Sequence, residues 1–298
     1  MKNKVVVVGK LSPEEFRRSY LPLGVPVLMR GGVADWPAFG KWSPQFFASN
    51  FTNLTVKVER STAVKGDIDD PVNFLQQQRW DDWKLADYAR YLIDTPEEGT
   101  DHYLSQYRLF EKEPALRQDV KSLEEYMTPA SWWWPKRSRR AWFRPEPLFW
   151  MGGPGNRSSL HFDRKENFAA LFHGRKKWVF FAPGTRGLYY PSTKMNSVRS
   201  MHWSPVNVNN PDFKRFPEFR HASPCIIEMN EGDLLYNPPG WWHYVSSPVN
   251  SIMLNYFWWR PIMGTWKLRA YYYHLFRRKW MRKLGVGHYL RYFEYQHE

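Results

Sequence analysis

The 298-residue sequence has one cysteine, Cys225. A single thiol excludes a disulfide framework within the chain and a cysteine-rich zinc site. It suits a reducing compartment, so a soluble, cytoplasmic protein is expected. Long apolar runs are missing too. The opening MKNKVVVVGK carries an apolar stretch too short for a signal-peptide core. No window approaches the about 18 uncharged apolar residues that would suggest a membrane span. Acidic residues are outnumbered, 29 Asp and Glu against 43 Lys and Arg, for a formal charge of +14. Such a balance favours acidic partners: nucleic acid, an acidic peptide or an anionic surface.

Apolar residues make up 43% of the chain, which excludes a disordered polymer and supplies a sizeable core. Aromatics reach 18%, and their Trp and Tyr members bring N–H and O–H groups that need partners when buried. The N-terminal third mixes helix and strand signals. Ser-Pro pairs at 12–13 and 43–44 mark helix starts. VPVLMRGG (25–32) and LTVKVERS (54–61) read as strands, and WKLADYARYLID (83–94) carries a helical apolar stripe at 85, 86, 89, 92 and 93.

From about residue 102 the texture changes to short alternating runs punctuated by Gly, Pro and Asn, the pattern of an antiparallel barrel or sandwich. Residues 182–224 read as a long irregular connection of the kind that covers a site. Beyond 260 the pattern turns helical, with Lys and Arg interleaved among aromatics. These features divide the chain into one domain over 1–262, with its barrel core at about 100–260, and a basic aromatic extension over 263–298.

SSLHFDRKEN (158–167) places His161 and Asp163 two apart in a strand, so both point the same way. Two histidines and a carboxylate on one side of a metal, with the other side open, is the ligand set of non-haem iron(II) oxygenases. His243 is the best-framed third ligand, since EGDLLYNPPGWWHYV (231–245) doubles the chain back and starts a new strand with it. His173, His202 and His221 lack such framing. Lys176 and Lys177 lie on opposite faces of KKWVFFAP, and the residues alone do not choose between them.

Residues 158–181 and 231–258 resemble the two halves of the JmjC/cupin-like iron(II)- and 2-oxoglutarate-dependent oxygenases. The similarity is strongest to the hydroxylase branch that includes the asparaginyl hydroxylase of hypoxia-inducible factor. HYLSQYRLF, HFDRKENFAALFHGRKKWVFFAP, GDLLYNPPGWWHYV and LNYFW occur in the family's order. The resemblance implies a mainly β fold: a double-stranded β-helix, or jelly-roll barrel, with N-terminal α/β elements and C-terminal helices around it. It implies His161, Asp163 and His243 as ligands of Fe(II), with O2 and 2-oxoglutarate as cosubstrates. It selects Lys176 for the far carboxylate of 2-oxoglutarate and nominates Tyr103, Ser158, Asn167 and Asn255 around it.

The substrate implied is an amino-acid side chain of a protein or peptide, hydroxylated at a C–H bond. Two other readings stand beside it. One is a modified nucleotide in tRNA, which the +14 charge suits; the other is a catalytically silent cupin-like binding protein, against which the intact ligand set speaks. The basic-aromatic segment 131–145 could line a groove for an acidic peptide, and 264–294 could pair two copies of the chain.

Overall fold

A computed structural model describes residues 4–60, 79–95, 99–127, 147–185, 187–188 and 203–258. The expectations for 131–145 and 263–298, and for His202, lie outside these residues.

The helix starts form as their chemistry requires. Ser12 accepts from the Glu15 amide and Ser43 from the Phe46 amide, so each serine satisfies an orphan N–H of a first turn that proline opens. The first turn, α1 (Pro13–Glu15), runs on as a wider turn through Phe16–Tyr20, and α2 spans Pro44–Asn50. Helix α3 covers Leu85–Asp94 and buries Leu85, Ala86, Tyr88, Ala89 and Leu92. The expected helix began two residues earlier. Trp83 and Lys84 instead end a strand, where Trp83 lies across from Val56. The apolar stripe is also rotated from the expected one, with Tyr88 inside and Ile93 exposed, because the Tyr88 hydroxyl has a buried acceptor in the Met151 carbonyl.

The strands are β1 (Val6–Val8), β2 (Val27–Met29), β3 (Thr55–Arg60), β4 (Arg79–Lys84), β5 (His102–Tyr107), β6 (Leu148–Gly152), β7 (Arg157–Phe162), β8 (Glu166–His173), β9 (Arg175–Phe181), β10 (Cys225–Asn230), β11 (Leu234–Asn237), β12 (Trp242–Ser246) and β13 (Ser251–Trp258). Among the described residues they form two sheets, ordered β1-β2-β11-β8-β13-β6-β5-β3-β4 and β10-β9-β12-β7. Apart from β1 with β2, the pairings are antiparallel. This is the cupin-type barrel the sequence suggested, with its two sheets face to face. Residues 182–224 are irregular where described, apart from the turn Pro217–His221.

Side-chain alternation sorts the core into three layers. Between the sheets lie Ala169, Leu171, Leu235 and Met253 from the larger sheet and Trp178, Phe180, Met229 and Val245 from the smaller. The outer face of the larger sheet packs Phe168, Phe172, Leu254 and Tyr236 against the N-terminal helices, around the buried Trp42 and Phe47. The outer face of the smaller sheet packs Leu160, Phe162, Val179 and Trp242 beneath the long connection. Any residue in phase with the first set faces the barrel interior.

Candidate metal centre

His243 is in phase with Val245 and faces inward; His161 is its cross-strand partner on β7. Asp163 follows the end of β7, where its carbonyl accepts from the Gly240 amide at 2.9 Å. That bond joins the Pro-Pro-Gly turn to the H-x-D strand. Gly240 has φ +83°, a conformation that costs an L-residue about 1–2 kcal/mol, so glycine suits this corner. Ligand atoms of His161, Asp163 and His243 lie within 4.8 Å of one another. The two rings sit 4.2 Å apart between centroids, and His243 Nε2 is 3.7 Å from Asp163 Oδ2.

The tautomers follow from what the rings touch. His161 Nδ1 is 2.6 Å from the Ser159 carbonyl, and His243 Nδ1 is 2.9 Å from the Trp241 carbonyl. A carbonyl only accepts, so each Nδ1 carries the proton and each Nε2 keeps its lone pair. Burial, and then the neighbouring His161, push the His243 pKa well below its usual range, so the ring is neutral and its 3.7 Å approach to Asp163 is no ion pair. Two imidazoles and one carboxylate leaving an open side are donors suited to a divalent transition ion such as iron(II).

Lys176 alternates with Trp178 and Phe180 and therefore points inward, while Lys177 is exposed on the other face. Lys176 is 2% exposed. Its Nζ donates to the Ser247 hydroxyl at 2.8 Å and the Tyr103 hydroxyl at 3.0 Å, and it lies 5.1 Å from the Tyr103 ring centroid. Burial drives its pKa down to about 7. Among the described residues no carboxylate pairs with it within 4 Å. A buried amine held only by neutral hydroxyls is ready for an anion, which would repay the desolvation of its charged form. The interior thus fits a dicarboxylate with one end on this ammonium.

Ser158 is three residues from His161, which by simple alternation would turn it outward. It faces inward nevertheless. Between the pairs His243–His161 and Val245–Ser158, β12 advances two residues and β7 three, so β7 carries a bulge at 159–160 that restores the phase. Asn167 and Asn255 also face in. Asn255 donates to Asn167 Oδ1 at 3.0 Å, and Asn167 donates to Asp163 Oδ2 at 3.4 Å. All eight residues singled out in the sequence therefore face one chamber or stand at its rim. His173, at the end of β8, and His221, in a surface turn, stand outside the ligand group.

Several interior residues went unnoticed in the sequence. Ser247 is in phase with His243 and Val245, so the period of HYVSS could have found it. Asn237 lies beyond the Pro-Pro-Gly turn from His243, with its Nδ2 3.3 Å from His243 Nδ1. Trp203 stacks on His161 at 5.0 Å and 20° and forms an isolated bridge with it, a contact from the long connection that no local pattern announces.

A family model described as the cupin-like domain matches residues 13–264. The chain belongs to this cupin-like family. It is similar to JmjC domain-containing protein D of Dictyostelium discoideum, with 29% identity over 265 residues, 85% of this chain and 56% of that protein. It is 30% identical over 259 residues to lysine-specific demethylase JMJ30 of Arabidopsis thaliana, 84% of this chain and 53% of the relative. With human HSPB1-associated protein 1 it shares 27% over 254 residues, 80% and 49%. The chain thus spans about half the length of these curated relatives.

Proposed function

We propose that this chain is an iron(II)- and 2-oxoglutarate-dependent dioxygenase that oxidises a C–H bond of an amino-acid side chain in a protein or peptide. The observation that carries the reading is the pairing of an open His-Asp-His ligand set with a buried lysine that lacks a carboxylate partner among the described residues. With both cofactors bound, the centre would supply O2 reduction coupled to oxidative decarboxylation of 2-oxoglutarate, giving succinate, CO2 and one oxygen atom for the substrate C–H bond.

The chain's own residues do the rest. His161, His243 and Asp163 hold the ion from one side, with both rings oriented by backbone carbonyls. Lys176, protonated on ligand entry, anchors the distal carboxylate with Tyr103 and Ser247, while Ser158, Asn167 and Asn255 face the same volume. Burial raises the Tyr103 pKa, and Glu59 raises it further, so the phenol stays a donor. Trp178 backs His243 at 5.6 Å and Trp203 covers His161, apolar walls that exclude water.

If the oxidised carbon bears nitrogen, the hydroxylated product collapses and the outcome is demethylation. The names of the relatives keep that product in view, and the site chemistry is shared. The test is aerobic turnover with iron(II) and 2-oxoglutarate over peptide and RNA pools. A one-oxygen mass gain on a peptide is the expected result, and loss of a CH2 unit would mark demethylation. Succinate formed only with RNA, with binding that weakens steeply with salt, would establish the nucleotide reading. No succinate from an iron-loaded chain would leave a binding protein.

A further inference from the structure

From the buried surroundings of His243, we infer that Asn237 is a positioning residue for the metal centre: its side-chain oxygen holds the His243 ring in its ligating tautomer and orientation. The inference rests on the proposed metal site and assigns a residue behind it.

Asn237 ends β11, is fully buried and faces the chamber opposite Asn167 on β8. Its amide stands 3.3 Å from His243 Nδ1, across the tight turn that separates the two residues. The same Nδ1 lies 2.9 Å from the Trp241 carbonyl. These neighbours make opposite demands. Trp241 requires a proton on Nδ1, whereas an N–H of Asn237 pointing at Nδ1 requires a lone pair there. Nε2 can bind a cation only if the proton is on Nδ1. The lone-pair alternative would also leave a buried carbonyl facing an acceptor.

Asn237 resolves the conflict by a half-turn about its last side-chain bond. The two ends of a carboxamide have nearly the same shape, so the turn costs little space. It replaces the mismatched donor with Oδ1, an atom that otherwise has no hydrogen-bond partner among the described residues despite full burial. Nδ1–H is then shared between the Trp241 and Asn237 oxygens. Two acceptors on one proton fix the ring plane better than one, which is how outer partners of a metal-bound histidine act. An apolar residue at 237 could fill the space but could not accept.

The test adds cobalt(II) chloride to the metal-free full chain and follows its visible bands and the dissociation constant. Asn237→Leu and Asn237→Ser, which cannot reach Nδ1 with an acceptor, should each bind roughly 10–100-fold more weakly, with altered bands. Asn237→Asp keeps an acceptor and should recover affinity to within a few-fold of the native chain or better. Native affinity and bands in either the Leu or the Ser variant, once its melting shows it folded, would overturn the inference. So would an Asp variant as weak as the Leu one, because the amide would then be a filler. A native chain that binds no cobalt would instead sink the metal-site reading.

Discussion

Lys176 ties the physical chemistry of single side chains to cosubstrate binding. Its pKa is about 7 in the folded chain and 10.5 in the unfolded. Between those values the unfolded chain holds a proton the folded one lacks, so stability without ligand rises as pH climbs from about 7 toward 10.5. An entering carboxylate restores the charged form. Binding of 2-oxoglutarate at pH 8 should therefore take up a proton, and calorimetry in buffers of different ionisation heat should show it. A buffer-independent heat would mean the amine was already charged. Lys176→Ala removes the charge-assisted bonds, about 2 kcal/mol or more, and should raise the 2-oxoglutarate requirement at least roughly 30-fold. Asp163→Ala should abolish succinate formation and leave the melting temperature near native. These side chains could be named from sequence because strand period and turn signals decide which way a residue points. Lys176 over Lys177 needed the resemblance as well, since only the sheet pairing tells which face is inside.

At the level of strands and turns, close approach sets the tolerances. Gly152 on β6 lies beneath Tyr103, and a Cβ there would stand 2.6 Å from the Tyr103 ring and 2.3 Å from Asn156 Oδ1. Gly152→Ala should cost about 1–3 kcal/mol and push the phenol off Lys176. Lower denaturant midpoint together with weaker 2-oxoglutarate binding is the expected pair of results; unchanged binding would show that Tyr103 relaxes freely. The β7 bulge, the Trp203 bridge and β4 were not legible. A bulge is set by how two strands pair, Trp203 arrives from far along the chain, and RWDDWK has neither clean alternation nor a clean helical stripe.

Across the whole molecule, Asp233 joins the N-terminal segment to the barrel. Its carboxylate accepts from Arg30 Nη1 at 2.5 Å, from the Gly31 amide at 3.1 Å and from the Asn230 amide at 2.9 Å. Asp233→Ala strands two backbone donors and should destabilise the fold by about 2 kcal/mol or more, seen as a lower urea midpoint with the metal affinity of the folded fraction unchanged. The class of fold was readable from composition and period. The nine-strand order was not, because β2 reaches β11 and β5 reaches β6 across long stretches of chain. Among the described residues no helix is long and apolar enough to cross a membrane, in keeping with the lack of apolar runs.

The extra residue in β7 makes this strand one residue longer than the stretch of β12 it pairs with. Replacing Ser159 by another small residue keeps the count, and the hydroxyl at 158 still looks into the chamber. Removing Ser159 would make the spacing from residue 158 to His161 two, matching β12 residue for residue, and plain alternation would keep both the hydroxyl and the imidazole in the chamber. Deleting Ser159 should therefore leave cobalt affinity near native, whereas deleting Ser159 and Leu160 together would place residue 158 and the histidine on opposite faces and cost the chamber one of them, seen as weaker binding of cobalt or of 2-oxoglutarate.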